Sequence, residues 1–250
     1  MSFLLAIEGA DGAGKATASA LVVEQLRVAG RAADVVSFPR YTETVGGWAL
    51  GAMLAGTLPR GTSPRAAAVL YALDRMESRE HLLATMAAID VVVLDRYIAS
   101  NMAYQAAQVL ADEADAMMAW IADLETGSFA LPKPDLSVYL DTPAAIARGL
   151  ILKKRKRSYT DDAFDAYEAD TGLQDRVRTN YAAMAEAGLL GRWATVSTVA
   201  DGASRLPAEI AAEIVALLTY AAALHPGEGR GSIRKVAVTA CNACQASSPN

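Results

Sequence analysis

Gly9-Ala10-Asp11-Gly12-Ala13-Gly14-Lys15-Ala16-Thr17 follows a short apolar run, Phe3 to Glu8, and opens a stretch with helical periodicity. No other segment constrains the fold as tightly. A buried strand, a tight glycine turn and a helix in immediate succession fit G-x-x-x-x-G-K, a loop that cradles phosphate. Small residues let the backbone curl so that several N–H groups face inward. The helix N-terminus adds partial positive charge, and Lys15 adds a full one. Gly9, Ala10, Asp11, Gly12, Ala13, Gly14, Lys15, Ala16 and Thr17 are therefore the candidate triphosphate-binding residues, with ATP the expected ligand. One position departs from the pattern. The residue after the lysine is normally a serine or threonine whose hydroxyl holds Mg²⁺; here it is Ala16, and Thr17 is turned about 100° away on the helix.

The remaining elements follow from periodicity. Apolar residues at Ala18, Leu21, Val22, Leu26 and Ala29 make a helical stripe that Gly30 should stop. Strands are expected at Asp34 to Phe38, Val91 to Leu94, Leu136 to Leu140 and Trp193 to Ser197. Ser63-Pro64 should cap a helix running to about Ala88. Further helices are expected over Ser100 to Val109, Asp112 to Thr126, Ala144 to Leu152, Phe164 to Ala187 and Arg205 to Ala223. Strands alternating with helices predict an α/β protein: three layers, with a central five-stranded parallel sheet covered on both faces. The 250 residues suffice for such a core, and a net charge of −5 does not suggest a nucleic-acid or membrane-surface partner. Met1 to Leu5 reaches Glu8 before a signal sequence could form, so the chain reads as cytoplasmic.

Beyond His225-Pro226 the sequence turns rich in Gly, Ser, Asn and Gln, and residues 225–250 read as a disordered tail. Cys241 and Cys244 lie in it. A zinc site would need two more ligands, and His81 and His225 are the only histidines, so the pair receives no role.

Four segments bear on what the phosphate loop serves. They are Ser37-Phe38-Pro39-Arg40-Tyr41, Tyr71-Ala72-Leu73-Asp74-Arg75, Asp95-Arg96-Tyr97 with Ser100 to Tyr104 behind it, and Pro132-Lys133-Pro134-Asp135. Ligands of open α/β sheets bind beyond the carboxyl ends of the strands, where Arg40 and Arg96 are expected. Two guanidinium forks there suit one phosphate dianion. Tyr71 and Arg75 are four apart and share a helix face, offering an aromatic plane and a fork donor to a base. Singly, each has a plain structural reading: solvated arginines, a core tyrosine, Asp95 as a strand-end cap.

Together, Glu8-Gly9-x-Asp11-Gly12-x-Gly14-Lys15, Phe38-Pro39-Arg40, Asp95-Arg96-Tyr97 and Pro134-Asp135 resemble the thymidylate kinases, from about Met1 to Leu218. The Leu-Asp-Arg helix, Ala99-Ser100-Asn101 and Leu131 to Asp135 look closest to the actinobacterial branch. The resemblance implies a homodimer that transfers a phosphoryl group from ATP to dTMP, with a kinase domain over 1–224. It implies that Arg40 and Arg96 grip the dTMP phosphate, Tyr71 stacks on thymine, Arg75 bonds its carbonyl edge and Asn101 its ring nitrogen. Phe38, Pro39 and Tyr41 would shape the pocket. Tyr104 would lie near the sugar C2′, and Asp11 near the 3′-hydroxyl or the metal.

The basic run Lys153-Lys154-Arg155-Lys156-Arg157 falls where the family has a lid, about 150–164, and Arg155 is carried over as its catalytic charge beside Asp11, Lys15 and Arg96. Asp165, Tyr167 and Glu168 would then sit over the sugar and metal. With no hydroxyl at Ala16, Mg²⁺ is expected on substrate oxygens, water, Asp11 and Glu168, with Asp95 acting through water. Two alternatives stay open. One is a kinase for another deoxynucleotide or a deoxynucleoside, with Asp95 as base; the other is a low-turnover nucleotide-binding regulator.

Overall fold

A computed structural model of the chain describes residues 2–58, 61–157 and 171–223, the side chains of 153–157 and 171 excepted. Five strands, β1 (Phe3–Glu8), β2 (Ala33–Ser37), β3 (Val91–Asp95), β4 (Leu136–Asp141) and β5 (Trp193–Ser197), form one sheet in the order β2-β3-β1-β4-β5. Every pairing is parallel. The helices between them are α1 (Lys15–Val28), α2 (Val45–Leu54), α3 (Pro64–Glu77), α4 (Arg79–Ala88), α5 (Ile98–Ala106), α6 (Ala114–Asp123), α7 (Ala144–Arg157) and α8 (Thr171–Ala187); α9 (Pro207–Ala223) closes the described chain.

Alternation along the strands splits the core into two layers. Leu5, Ile7, Val91 and Val93 face α1 and α9, through Val22, Leu26, Ile210, Ile214 and Leu218. Leu4, Ala6, Val92 and Leu94 face the other way, onto α5, α6 and α8, through Ile98, Met102, Met117, Ile121, Val177 and Tyr181. Burial on both faces explains why these strands read as continuous apolar runs. The expected three-layer sheet is thus present, and the order places β1 at the switch between β3 and β4, with the carboxyl ends of all five strands on one side.

Three expectations need correction. The helix opened by Ser63, whose hydroxyl accepts from Ala66 N at 3.3 Å, does not run unbroken to Ala88. It ends at Ser78, from which α4 restarts and brings Leu82 into the core. Helix α2 was not expected at all; Gly46 and Gly47, in its first turn, are poor helix formers. Those glycines instead allow close packing: a Cβ on Gly46 would lie 2.4 Å from Asp74 N, and one on Gly47 2.2 Å from Arg40 O. Lastly, Asp201 and Gly202, both at positive φ, turn a small hairpin between β6 (Val199–Ala200) and β7 (Ala203–Ser204). The tail, 225–250, lies outside the described residues, as does most of the segment read as a lid.

Candidate active site

The loop from Gly9 to Gly14 bends over the carboxyl end of β1 through positive φ at Gly9, Gly12 and Gly14. Gly12 has no room for a side chain, since a Cβ would sit 2.3 Å from Ala147 O on α7. Lys15 opens α1 and is buried; its ammonium donates to Gly9 O at 2.9 Å and Ala10 O at 2.7 Å. Burial, reinforced by the Arg96 charge, brings the Lys15 pKa down to about 7. Ala16 and Thr17 are exposed on the first turn.

Arg96 follows β3 with its backbone in the left-handed region, φ 65°, a conformation that costs a non-glycine residue about 1–2 kcal/mol. The turn sends the guanidinium back across the strand ends to the Asp11 carboxylate. Ser100 Oγ accepts from it at 3.0 Å, and the Tyr104 ring lies beneath it, 5.4 Å from centroid to Cζ. Burial alone would raise the Asp11 pKa, but the Arg96 and Lys15 charges outweigh it and hold the carboxyl below its usual range. Burial would lower the Arg96 pKa, and Asp11 reverses that. Gln174 on α8 clasps Asp11 twice, accepting from its N–H at 3.2 Å and donating to Oδ2 at 3.0 Å.

Beneath this pair lies a buried acid. Glu8 accepts from Tyr97 N at 2.8 Å and from the Tyr181 hydroxyl at 3.0 Å. Burial pushes its pKa up, with Tyr181 and Arg96 opposing. Tyr181 also bonds Ser100 Oγ at 2.9 Å, so α5 and α8 are tied to the end of β1.

Beside Arg96 opens a pocket lined by Asp11, Phe38, Pro39, Tyr41, Leu54, Tyr71, Arg75, Arg96, Ser100, Asn101 and Tyr104. It gathers most of the residues expected to hold the acceptor. Arg75 is 1 % exposed and makes a bidentate pair with Glu125, at 2.5 Å and 2.7 Å. Neither Glu125 nor Gln174 was anticipated, and no spacing rule links them to their partners. Arg40 does not line this pocket. Its side chain is turned onto Glu43, while its backbone N–H is held by the buried Asp74 carboxylate, at 3.2 Å and 3.3 Å. Asp74 also accepts from Thr44 Oγ1 at 2.5 Å, fixing the turn into α2.

Asp95 ends β3 in register with Ile7 and Ser37 of the flanking strands. The Pro134-Asp135 pair, by contrast, stands at the amino end of β4, away from the pocket. Asp135 accepts from Leu4 N at 2.7 Å and thus aligns β4 on β1. The side chains of Arg155, Asp165, Tyr167 and Glu168 lie outside the described residues. Among the described residues no group of three or more His, Cys, Asp or Glu is arranged to hold a metal by itself, and no helix is long and apolar enough to cross a membrane.

A family model for thymidylate kinase matches residues 7–198. The chain is 38% identical over 211 residues to a thymidylate kinase of Mycobacterium tuberculosis (strain H37Rv), covering 83% of this chain and 97% of the relative. It is 36% identical over 188 residues to a thymidylate kinase of Clavibacter sepedonicus, covering 73% and 81%. To a probable thymidylate kinase of Archaeoglobus fulgidus it is 34% identical over 156 residues, covering 62% and 72%. The matched span takes in the phosphate loop, the Arg96 turn and the pocket between them, and the chain belongs to the thymidylate kinase family.

Proposed function

We propose that this chain transfers the γ-phosphoryl group of ATP to dTMP, giving dTDP. The observation that carries this reading is the Arg96 turn. It brings a half-buried guanidinium to the wall of the pocket and, through Asp11, to the phosphate loop. The loop N–H groups and Lys15 hold the triphosphate. Arg96 holds the acceptor phosphate, and Arg40 joins it by leaving Glu43. Tyr71 stacks on the base; Arg75 and Asn101 read its edge.

The acceptor needs no protein base. The second pKa of a phosphate monoester is near 6, so at neutral pH its oxygen is already the nucleophile. What the protein must do is align two anions that repel each other and neutralise the charge that grows between them. Lys15 and Arg96 supply that charge on the two sides, and Arg155 is assigned a third share. This chemistry requires no histidine.

The donor set fits Mg²⁺. Asp95 and Asp11 are hard oxygen ligands beside Lys15, few enough for a cation that keeps most of its shell as water and phosphate oxygens. Asp11 and Glu168 would hold it, with Asp95 acting through water, and it would neutralise charge on the transferring group. The same reading assigns the catalytic unit to residues 1–224 and a homodimeric assembly in the cytoplasm.

A coupled assay with ATP and a panel of nucleosides and monophosphates tests this. dTMP should be the preferred acceptor, and thymidine should give no turnover. Equal rates on thymidine would assign the site to a nucleoside kinase instead.

A further inference from the structure

Glu125 sits in a π-helical turn, Leu124–Ser128, that extends α6, and its carboxylate is wholly buried. Wide turns of this kind recur at functional sites. Three donors converge on Glu125: Arg75 Nε at 2.5 Å, an Arg75 terminal nitrogen at 2.7 Å, and Asn101 Nδ2 at 2.9 Å. Asn101 Nδ2 gives its second hydrogen to Ala68 O at 3.0 Å. A side-chain amide can usually be turned over, exchanging its donor and acceptor. Here it cannot. Both neighbours of Nδ2 are acceptors only, and the reversed amide would set Oδ1 against a carbonyl and a carboxylate. Asn101 Oδ1 is thereby left as the amide's remaining polar atom, buried and without a partner among the described residues.

We infer that Glu125 is a positioning residue for base selection: it locks Asn101 as an acceptor and Arg75 as a donor, side by side on the pocket wall. The inference rests on the functional reading above. That wall complements an edge with an N–H beside a C=O, as in N3–H and O4 of thymine or uracil. Cytosine presents a lone pair and an amino group at those places, and opposes both. A group built to bond a substrate N–H rejects an analogue lacking it, because the buried partner is left unmade. Guanine carries the same pair at N1 and O6, so the lock sorts edge polarity and leaves ring size to the rest of the pocket.

Glu125→Gln separates the lock from general support. Its amide offers Asn101 a donor as readily as an acceptor, so of the two acceptors that bar the reversed amide only the Ala68 carbonyl remains. The ratio of kcat/KM for dCMP to that for dTMP should rise about tenfold or more, chiefly through KM. Glu125→Asp keeps an acceptor-only carboxylate and should hold the ratio near that of the unsubstituted chain. An equal loss on both nucleotides in E125Q would reduce Glu125 to a structural role and overturn the inference.

E125Q also strands a buried guanidinium, so E125Q is made in N101A as well, where the guanidinium is stranded alike but no amide can turn over. There the substitution should leave the ratio unchanged; a rise as large as in the Asn101 protein overturns the lock. If the unsubstituted chain fails to phosphorylate dTMP, the functional reading falls. The lock is then read by calorimetric binding of dTMP and dCMP to the same proteins, with the same two outcomes.

Discussion

The Arg96 guanidinium rests on the Tyr104 ring, 5.4 Å from Cζ to centroid, and reaches over it to Asp11. One face is thus held by an aromatic plane and one edge by a carboxylate. Arg96→Ala should lower kcat/KM for dTMP by roughly 30-fold or more, about 2 kcal/mol for a charged hydrogen bond. Arg96→Lys should restore little, since a point charge replaces a planar fork. Steady-state kinetics of the two variants give the comparison; a loss below threefold in the alanine variant would remove Arg96 from the acceptor site.

Tyr104 itself fills the wall beside Asn101 and Arg96. Its ring should occupy the space a 2′-hydroxyl would need. Tyr104→Ala is expected to narrow the efficiency gap between dTMP and its ribonucleotide counterpart, while Tyr104→Phe keeps it. If the gap is the same in all three proteins, sugar selection lies elsewhere.

Lys15 carries a pKa near 7 because burial and Arg96 disfavour its charge. At pH 8 the amine is then largely neutral. Phosphate oxygens favour the ammonium and lift the pKa back toward that of a free lysine. Binding of ATP at pH 8 should therefore take up about one proton, and at pH 6, where the amine is already charged, close to none. Calorimetry in two buffers of different ionisation enthalpy reads this directly. Buffer-independent heats at pH 8 would contradict the depressed pKa, and Lys15→Met should abolish the uptake.

Gly47 meets Arg40 O where α2 crosses the Pro39–Thr44 turn. Gly47→Ala should destabilise the fold by about 1–3 kcal/mol, as overpacking does. The denaturation midpoint should fall with an unchanged slope. Because the backbone that must move carries Arg40, KM for dTMP should rise as well. Unaltered stability would mean that α2 shifts freely.

Much of this architecture could be read from local signals. Phe3 to Glu8, the glycine loop and Lys15 form a contiguous pattern, and the apolar runs at Val91 and Leu136 mark strands buried on both sides. The pocket wall was half legible. Tyr71 and Arg75 share one helix face and Arg96 follows a strand end, where spacing predicts them; Phe38 and Asn101 came from the family resemblance alone. Glu125 was not legible, because its link to Arg75 spans 50 residues and exists only once the π-helical turn after α6 packs beside α3. Asp135 misled for the opposite reason. Its neighbourhood resembles a site motif, but the start of a parallel strand lies away from the ligand end. Side-chain direction was hidden as well, as with Arg40 turned onto Glu43.

Two adjacent loop residues grip two different helices. Gly12 lies against the Ala147 carbonyl of α7, and Asp11 is clasped by Gln174 of α8. The loop that meets phosphate is thus a common footing for both helices. A rearrangement of α7 or α8 that moves this footing also moves the N–H groups that face phosphate. By reciprocity, whatever shifts those helices changes nucleotide affinity by the same factor that nucleotide changes their balance.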